Sequence, residues 1–263
     1  MLIVLTSYVA TPINVASRNG RYDLDWLVST CTVGETAQHD LVVGFDKRKA
    51  VRVVEQFLIA RRALYETVYY HKTVRIVEGM VALFLRRLKE VAAGEAVRLG
   101  VLDFLKPLVR MISGEVLSPS ELLSLDDFSL WILIQAVSDA KGMDETVHDL
   151  GQRILARDLF KIVPCSNEKV REFLLRPDGR DRLYHAIQPY CPGIAEYYLC
   201  VDSTNFAMLA ESSSKSAYLI DDHRLATPIR DNEALQAYRG KPEESVRLFT
   251  LSEAVAAVVK AIG

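Results

Sequence analysis

Between positions 47 and 92 the chain has no proline and a single glycine, Gly79, while apolar residues recur at helical spacing through Val74, Val77, Val81, Phe84, Leu88 and Val91. A run of that length without a breaker forms one long helix, or two joined near Tyr70, and every other element has to be fitted around it. Its first half carries an anomaly. The apolar stripe Ala50, Val54, Phe57, position 61, Leu64 and Val68 puts Arg61 into a slot that faces the core. A desolvated guanidinium without a counter-charge costs on the order of several kcal/mol, so something anionic is expected opposite it. The residues alone leave open a structural carboxylate pair, a ligand phosphate, or a side chain that snorkels past the edge of the core.

Half of the 263 residues are hydrophobic, enough for one large domain or a domain with a small appended lobe. Lys and Arg number 32 against 34 Asp and Glu, a formal net charge of -2, so no global field draws the chain to nucleic acid or to an anionic membrane. Anion binding has to be local. Cys31, Cys165, Cys191 and Cys200 show neither a C-x-x-C pair nor histidines at zinc-site spacing, and are expected as reduced thiols. No apolar run approaches the ~18 residues of a membrane span, and the apolar start MLIVLTSYVA lacks a basic leader region. A cytoplasmic location is the expectation.

Gly94 and Gly100 punctuate the end of the long helical run, and residues 101–112 read as a short helix. Ser124 and Asp127 form a Ser-x-x-Asp start for a helix through Trp131 and Ile134. Residues 143–158 form another amphipathic helix with Val147, Leu150, Ile154 and Leu155 inward. From Phe160 onward the texture changes: the β-prone runs FKIVPC, YYLCVD, SAYLID and SVRLFT alternate with short helices and turns such as Arg176-Pro177-Asp178-Gly179, and SEAVAAVVKAI closes the chain as a helix from Ser252. The expected fold class is α+β and predominantly α-helical, with a helical body over 1–160 and a small C-terminal α+β lobe over 161–263.

Several acidic and histidine pairs invite a catalytic reading and have a plainer one. Asp126 and Asp127 stand in a first helical turn, where capping and dipole compensation account for them. His39-Asp40 and His148-Asp149 are His-Asp dipeptides without the further converging imidazoles and carboxylates that a metal needs. Asp221-Asp222-His223 reads as a solvated turn between two short strands, and Asp23 and Asp25 as the start of a helix.

Four collinear segments carry a resemblance: NGRYDLDWLVS (19–29), FLIARRALYETVYYHK (57–72), LDDFSLWILIQ (125–135) and ARDLFKIV (156–163). Together they resemble HD-domain phosphohydrolases of the dNTP triphosphohydrolase type, from about residue 19 to the C-terminus. The resemblance implies an HD-phosphohydrolase-like helical body, and a reaction in which a metal-activated water attacks a phosphate. By the same resemblance Arg61 contacts substrate phosphates and Tyr69 stacks beside the nucleotide, roles that suit a bidentate donor and a flat aromatic. Arg157 and Lys161, four apart at a helix end, match a pair that touches an activating nucleotide at a subunit interface in regulated members; neutralisation of a helix C-terminus is the other reading. His71 and Lys72 share that double status. The family's His, His-Asp and Asp metal ligands lie upstream of the segment that matches NGRYDLDWLVS, so the resemblance implies a C-terminal portion with no catalytic residue, metal ligand or cofactor of its own, although the family uses a divalent metal. The partners it implies are a nucleotide, dNTP or related, and a second copy or another chain. A non-catalytic helical module for nucleotide sensing or assembly is the alternative.

Overall fold

The computed structural model describes residues 23–95, 105–140, 142–206, 217–238 and 243–263. Residues 19–22 of the first resembling segment, and 101–104 of the expected short helix, lie outside the described residues. In chain order the elements are α1 (Leu24–Ser29), β1 (Cys31–Glu35), β2 (Leu41–Asp46), α2 (Lys47–Leu64), a π-helical turn (Tyr65–Tyr69) and α3 (Lys72–Glu95). There follow α4 (Lys106–Ser113), α5 (Pro119–Leu123), α6 (Asp127–Ser138), α7 (Glu145–Ala156), β3 (Lys161–Ile162), α8 (Asn167–Leu174) and α9 (Gly179–Ile187). The last are β4 (Leu199–Phe206), β5 (Tyr218–Ile220), β6 (Ala226–Pro228), β7 (Glu243–Thr250) and α10 (Val255–Ile262). The fold class is α+β and helix-dominated, as expected.

Two compact units divide the chain, one holding residues up to His71 together with Thr204–Glu244, the other Lys72–Ser203 and Ser245–Gly263. The first is built on a four-stranded sheet in the order β1-β2-β5-β6, in which β1 and β2 form an antiparallel hairpin (Cys31 opposite Phe45, Glu35 opposite Leu41) and β5 joins β2 in parallel. Asp23 begins α1 as foreseen, its carboxylate accepting the Trp26 amide at 2.8 Å, and Asp46 caps α2 by accepting the Arg48 amide at 2.9 Å. Leu27, Phe45, Ala50, Val53, Val54, Leu58 and Leu219 fill the core between helix and sheet. Asp221 accepts the amides of His223 and Leu225, both at 2.9 Å, which makes the acidic triplet the expected turn between β5 and β6.

The second unit carries the larger core. Phe84 on α3, Leu133 on α6 and Leu150 on α7 belong to one buried cluster with Phe173, Leu183, Phe249 and Val258. That continuity corrects the boundary expected near residue 160. The chain beyond it completes the helical core, with β3 antiparallel to β7 (Lys161 opposite Thr250) in a three-stranded sheet of order β3-β7-β4, while residues 204–244 go to the first unit. On α3 the buried row is Ile76, Met80, Leu83, Phe84 and Leu88, so the row expected from Val74 is rotated; Val74 itself is exposed. The start of α6 is also shifted. Asp126, and not Ser124, is the cap: its carboxylate accepts the Ser129 amide at 2.8 Å and the Ser129 hydroxyl accepts the Asp126 amide in return, whereas Ser124 closes α5. α6 and α7 pack closely because Gly151 has no Cβ; one built there would lie 1.7 Å from the Ser138 hydroxyl.

An ion pair ties α3 to the start of α7. The Arg87 guanidinium donates to both Asp144 oxygens, at 3.1 and 2.6 Å, and to Glu90 at 3.1 Å, while Asp144 also caps α7 by accepting the Val147 amide at 3.2 Å. Hydrogen bonding from Arg87 holds the Asp144 carboxyl below the usual carboxylate range. A carboxyl whose folded-state pKa is depressed contributes stability above its unfolded value of about 3.9 and loses it as pH falls through the lower folded value. Asp144→Ala, which removes both pair and cap, is therefore expected to lower the unfolding free energy by about 2–4 kcal/mol at neutral pH. In urea titrations the gap between Asp144→Ala and wild type should begin to narrow below about pH 4 and shrink further as pH falls through the depressed folded value; a gap that persists unchanged there would assign the loss to packing.

Candidate functional site

In the first unit the residues expected to meet a nucleotide sit where α2 changes register. The Tyr70 amide donates to the Tyr65 carbonyl at 2.8 Å, an i→i+5 bond that makes one π turn out of residues 65–69. In a straight α-helix Tyr69 would lie above Tyr65 and Tyr70 would swing to the flank. The wider turn sets both beside the same ring: the Tyr65 and Tyr69 centroids are 5.0 Å apart and tilted by 52°, and those of Tyr65 and Tyr70 are 5.3 Å apart, edge to face. Tyr70 is tethered further by its hydroxyl, which donates to the Asn205 carbonyl at 3.3 Å.

Arg61 stands one turn before this cluster, its guanidinium carbon 5.3 Å from the Tyr65 ring centroid. The buried row of α2 is Ala50, Val53, Val54, Leu58, Ala60 and Leu64, so Arg61 lies on the shoulder of the stripe, half-buried. The ring face lets a cation sit there at modest cost. Tyr69 keeps 40% of its surface in water, and Arg62 pairs with Glu66 at 2.7 Å on the neighbouring face. His71 follows the turn, exposed, its amide donating to the Val68 carbonyl at 3.3 Å.

The second unit groups the other expected cations. A hollow of about 210 Å³ is lined by Lys72, Thr73, Ile76, Leu159, Phe160, Lys161 and Ile162. A second hollow, of about 400 Å³, shares Thr73 and Leu159 with it and is completed by Val74, Val77, Glu78, Trp131, Ile154 and Arg157. Lys72 and Lys161 thus border one, Arg157 the other. Of the two cations expected at a helix end, Arg157 is there, as the left-handed cap that follows Ala156 with φ 57°, whereas Lys161 belongs to β3. Thr73, Trp131 and Leu159 were not singled out in the sequence. Their common signal is an apolar row on α3, through Val74 and Val77, that the core does not consume.

None of the described His-Asp dipeptides forms a metal centre. His39 pairs with Glu35 in the hairpin, His148 directs Nδ1 to the Ser138 carbonyl at 2.6 Å, and among the described residues no group of three or more His, Cys, Asp or Glu side chains is placed to hold a metal ion. A thiol nucleophile fares no better. Burial pushes Cys191 up to about 12 and Cys200 up to about 11, and raises Cys31 as well.

Compared with known proteins, the chain first shows its architecture: it shares the fold of a phosphohydrolase from Bacteroides thetaiotaomicron (TM-score 0.63, 19% identity, covering 92% of this chain and 59% of that one). A hypothetical protein from Aquifex aeolicus is similarly related (TM-score 0.61, 18% identity, 98% of this chain and 56% of that one). The chain spans less than two thirds of the length of either structure. Residues 23–105 then match the family described as the HD associated region, a segment that contains Arg61, Tyr69 and Lys72. No curated protein sequence matches. Among the described residues no helix is long and apolar enough to cross a membrane.

Arg157 offers a direct test of the geometry at the second hollow. The Asp158 amide donates to the Arg153 carbonyl at 2.9 Å and the Arg157 amide to the Ile154 carbonyl at 3.2 Å, the paired closing bonds that glycine usually makes at a helix end. An L-residue in that conformation costs about 1–2 kcal/mol. Arg157→Gly should therefore raise the unfolding free energy by about 1 kcal/mol relative to Arg157→Ala, read by urea denaturation. A glycine variant less stable than the alanine variant would show the backbone there to be unstrained.

Proposed function

We propose that this chain is the nucleotide-holding, C-terminal portion of an HD-type phosphohydrolase of the dNTP triphosphohydrolase kind, and that by itself it is catalytically incomplete. The observation that carries the reading is the Arg61–Tyr65–Tyr69–Tyr70 cluster inside the stretch that matches the HD associated region. The Arg61 guanidinium lies over the Tyr65 ring, its chemistry suits phosphate oxygens, and the exposed ring of Tyr69 offers a surface for a base. In such hydrolases a divalent metal supplies an activated water. The described residues do not form a donor set for that metal, so the roles assigned to them are to bind and orient: phosphate on Arg61, base on Tyr69.

A second reading has its own observation. Lys72, Lys161 and Arg157 form no ion pair among the described residues, although they border adjoining hollows of the second unit. We propose this as the place where a regulatory nucleotide binds if the chain serves sensing or assembly, with a further copy of the chain completing the contact and Lys72 at its margin.

Titration calorimetry with dGTP separates the two. Under the first reading Arg61→Ala loses about 10- to 100-fold in affinity, the worth of one charge-assisted phosphate contact, and Tyr69→Ala loses less. Lys161→Ala is then neutral. Binding that survives Arg61→Ala and disappears in Lys161→Ala would replace the first reading by the second. Stoichiometric metal in the purified chain, with chelator-sensitive release of triphosphate from dGTP, would overturn the claim of incompleteness.

A further inference from the structure

The chain passes between the two compact units three times: it enters the second at Lys72, leaves it after Ser203 and returns at Ser245. Just inside each of these points stands a charged residue, and the three meet. Arg75, near the start of α3, donates from Nε to Asp202 Oδ1 at 2.9 Å and from a terminal nitrogen to the same oxygen. Arg247, on β7 just past the return, donates to Asp202 Oδ2 at 2.7 Å. Asp202, on β4, is the residue before Ser203, and its side chain is 2% exposed. Close packing makes the seam that buries it. Gly79 lies one turn beyond Arg75 on the same side of α3, Cys200 shares the face of Asp202 on β4, and a Cβ built at Gly79 would fall 2.4 Å from the Cys200 sulfur. A side chain at 79 would hold β4 away from α3 and let water reach the carboxylate.

A buried ionic triad is not the most stable way to fill such a seam, because the desolvation of its members offsets most of their attraction and apolar residues of similar volume pack as well or better. What the charges impose is mutual dependence. Arg75 has a second, exposed partner in Glu78 at 2.7 Å, but the carboxylate of Asp202 is the partner that Arg75 and Arg247 share, one on each oxygen. If β4 draws away, two guanidiniums lose that carboxylate together. If α3 or β7 draws away, one oxygen of a buried carboxylate loses its arginine, which weakens the hold on the remaining segment. We propose that Arg75, Asp202 and Arg247 form a latch that makes the three connections act as one, so that the second unit holds all of them or releases all of them. The latch lies wholly within the second unit. It stands whether a nucleotide meets Arg61 or the hollows.

Native-state hydrogen exchange, read by mass spectrometry on the full chain, tests it. In the wild type the amides of 76–80 on α3, 199–203 on β4 and 245–249 on β7 should open with one common free energy and one common dependence on low urea, ahead of global unfolding. Asp202→Asn should speed exchange in all three segments by about tenfold or more while α6 and α7 keep their rates. Arg75→Met, a change on α3 alone, should also speed 245–249, and Arg247→Met should in turn speed 76–80. Both methionine variants keep an apolar stem in the seam and leave Asp202 one arginine, and the wild-type comparison needs no variant at all. Segments that open with different free energies in the wild type overturn the latch. Loosening confined to the altered segment overturns it by making the contacts separate ion pairs. Acceleration by the same factor in every segment, α6 and α7 included, overturns it by reducing the triad to a contribution to global stability, and unchanged exchange in all three variants overturns it outright.

Discussion

The bond from the Tyr70 amide to the Tyr65 carbonyl decides what the helical run from Lys47 presents at its end. With ordinary i→i+4 pairing throughout, the run from Lys47 would keep one face, and a single apolar stripe would have to serve two different cores. The extra residue taken up at 65–69 ends that continuity, and the units part directly after it, at His71 and Lys72. The same wide turn gathers three tyrosines on one side. Arg61 lies over one of them, Tyr65, where a ring face stabilises a guanidinium on the shoulder of an apolar stripe.

Two helices of the second unit repeat one theme at larger scale. α3 has an inner row, Ile76 to Leu88, and an outer one, Val74 and Val77; α6 has Leu133, Ile134 and Val137 inside and Phe128, Trp131 and Ile132 outside. The inner rows account for the core. The outer rows meet at the larger hollow, where Trp131 and Val74 are lining residues, so the surplus apolar surface of both helices is concentrated on one side of the unit. Clustered surplus of this kind is a feature of binding surfaces, whereas scattered exposed leucines are an ordinary property of any fold.

How much of this the sequence shows depends on whether the signal is local. The join near Tyr70, the start of α1 at Asp23, the turn at Asp221 and the four β-prone runs rest on neighbouring residues, and the structure has them at the expected places. The cap of α6 is also local, yet Ser124 and Asp126 compete for it two residues apart, and only the reciprocal bonds with Ser129 decide. Helix phase is harder: a run with two apolar rows has two admissible stripes, so Val74 recurs with the buried Phe84 and Leu88 and yet is exposed, and Arg61 lies beside the core instead of in it. The π turn is invisible to a 3.6-residue period, and the division of the units follows from pairings such as Lys161 with Thr250 that no local pattern encodes. The placement of Lys72, Lys161 and Arg157 around adjoining hollows is of this last kind.

That placement is itself a product of one backbone conformation. α4 and α7 end with the same pair of closing bonds; at α4 the left-handed position is Gly114, at α7 it is Arg157. The positive φ turns the chain out of the helix axis, so Leu159 and Phe160 run inward and Lys161 enters β3 opposite Thr250, on the border of the hollow that Lys72 also lines. Glycine would make the same turn with less strain but would leave no cation beside Trp131. A long charged side chain at such a position costs stability that a glycine would not, so the strain at the end of α7 and the cation at the hollow come from the same residue.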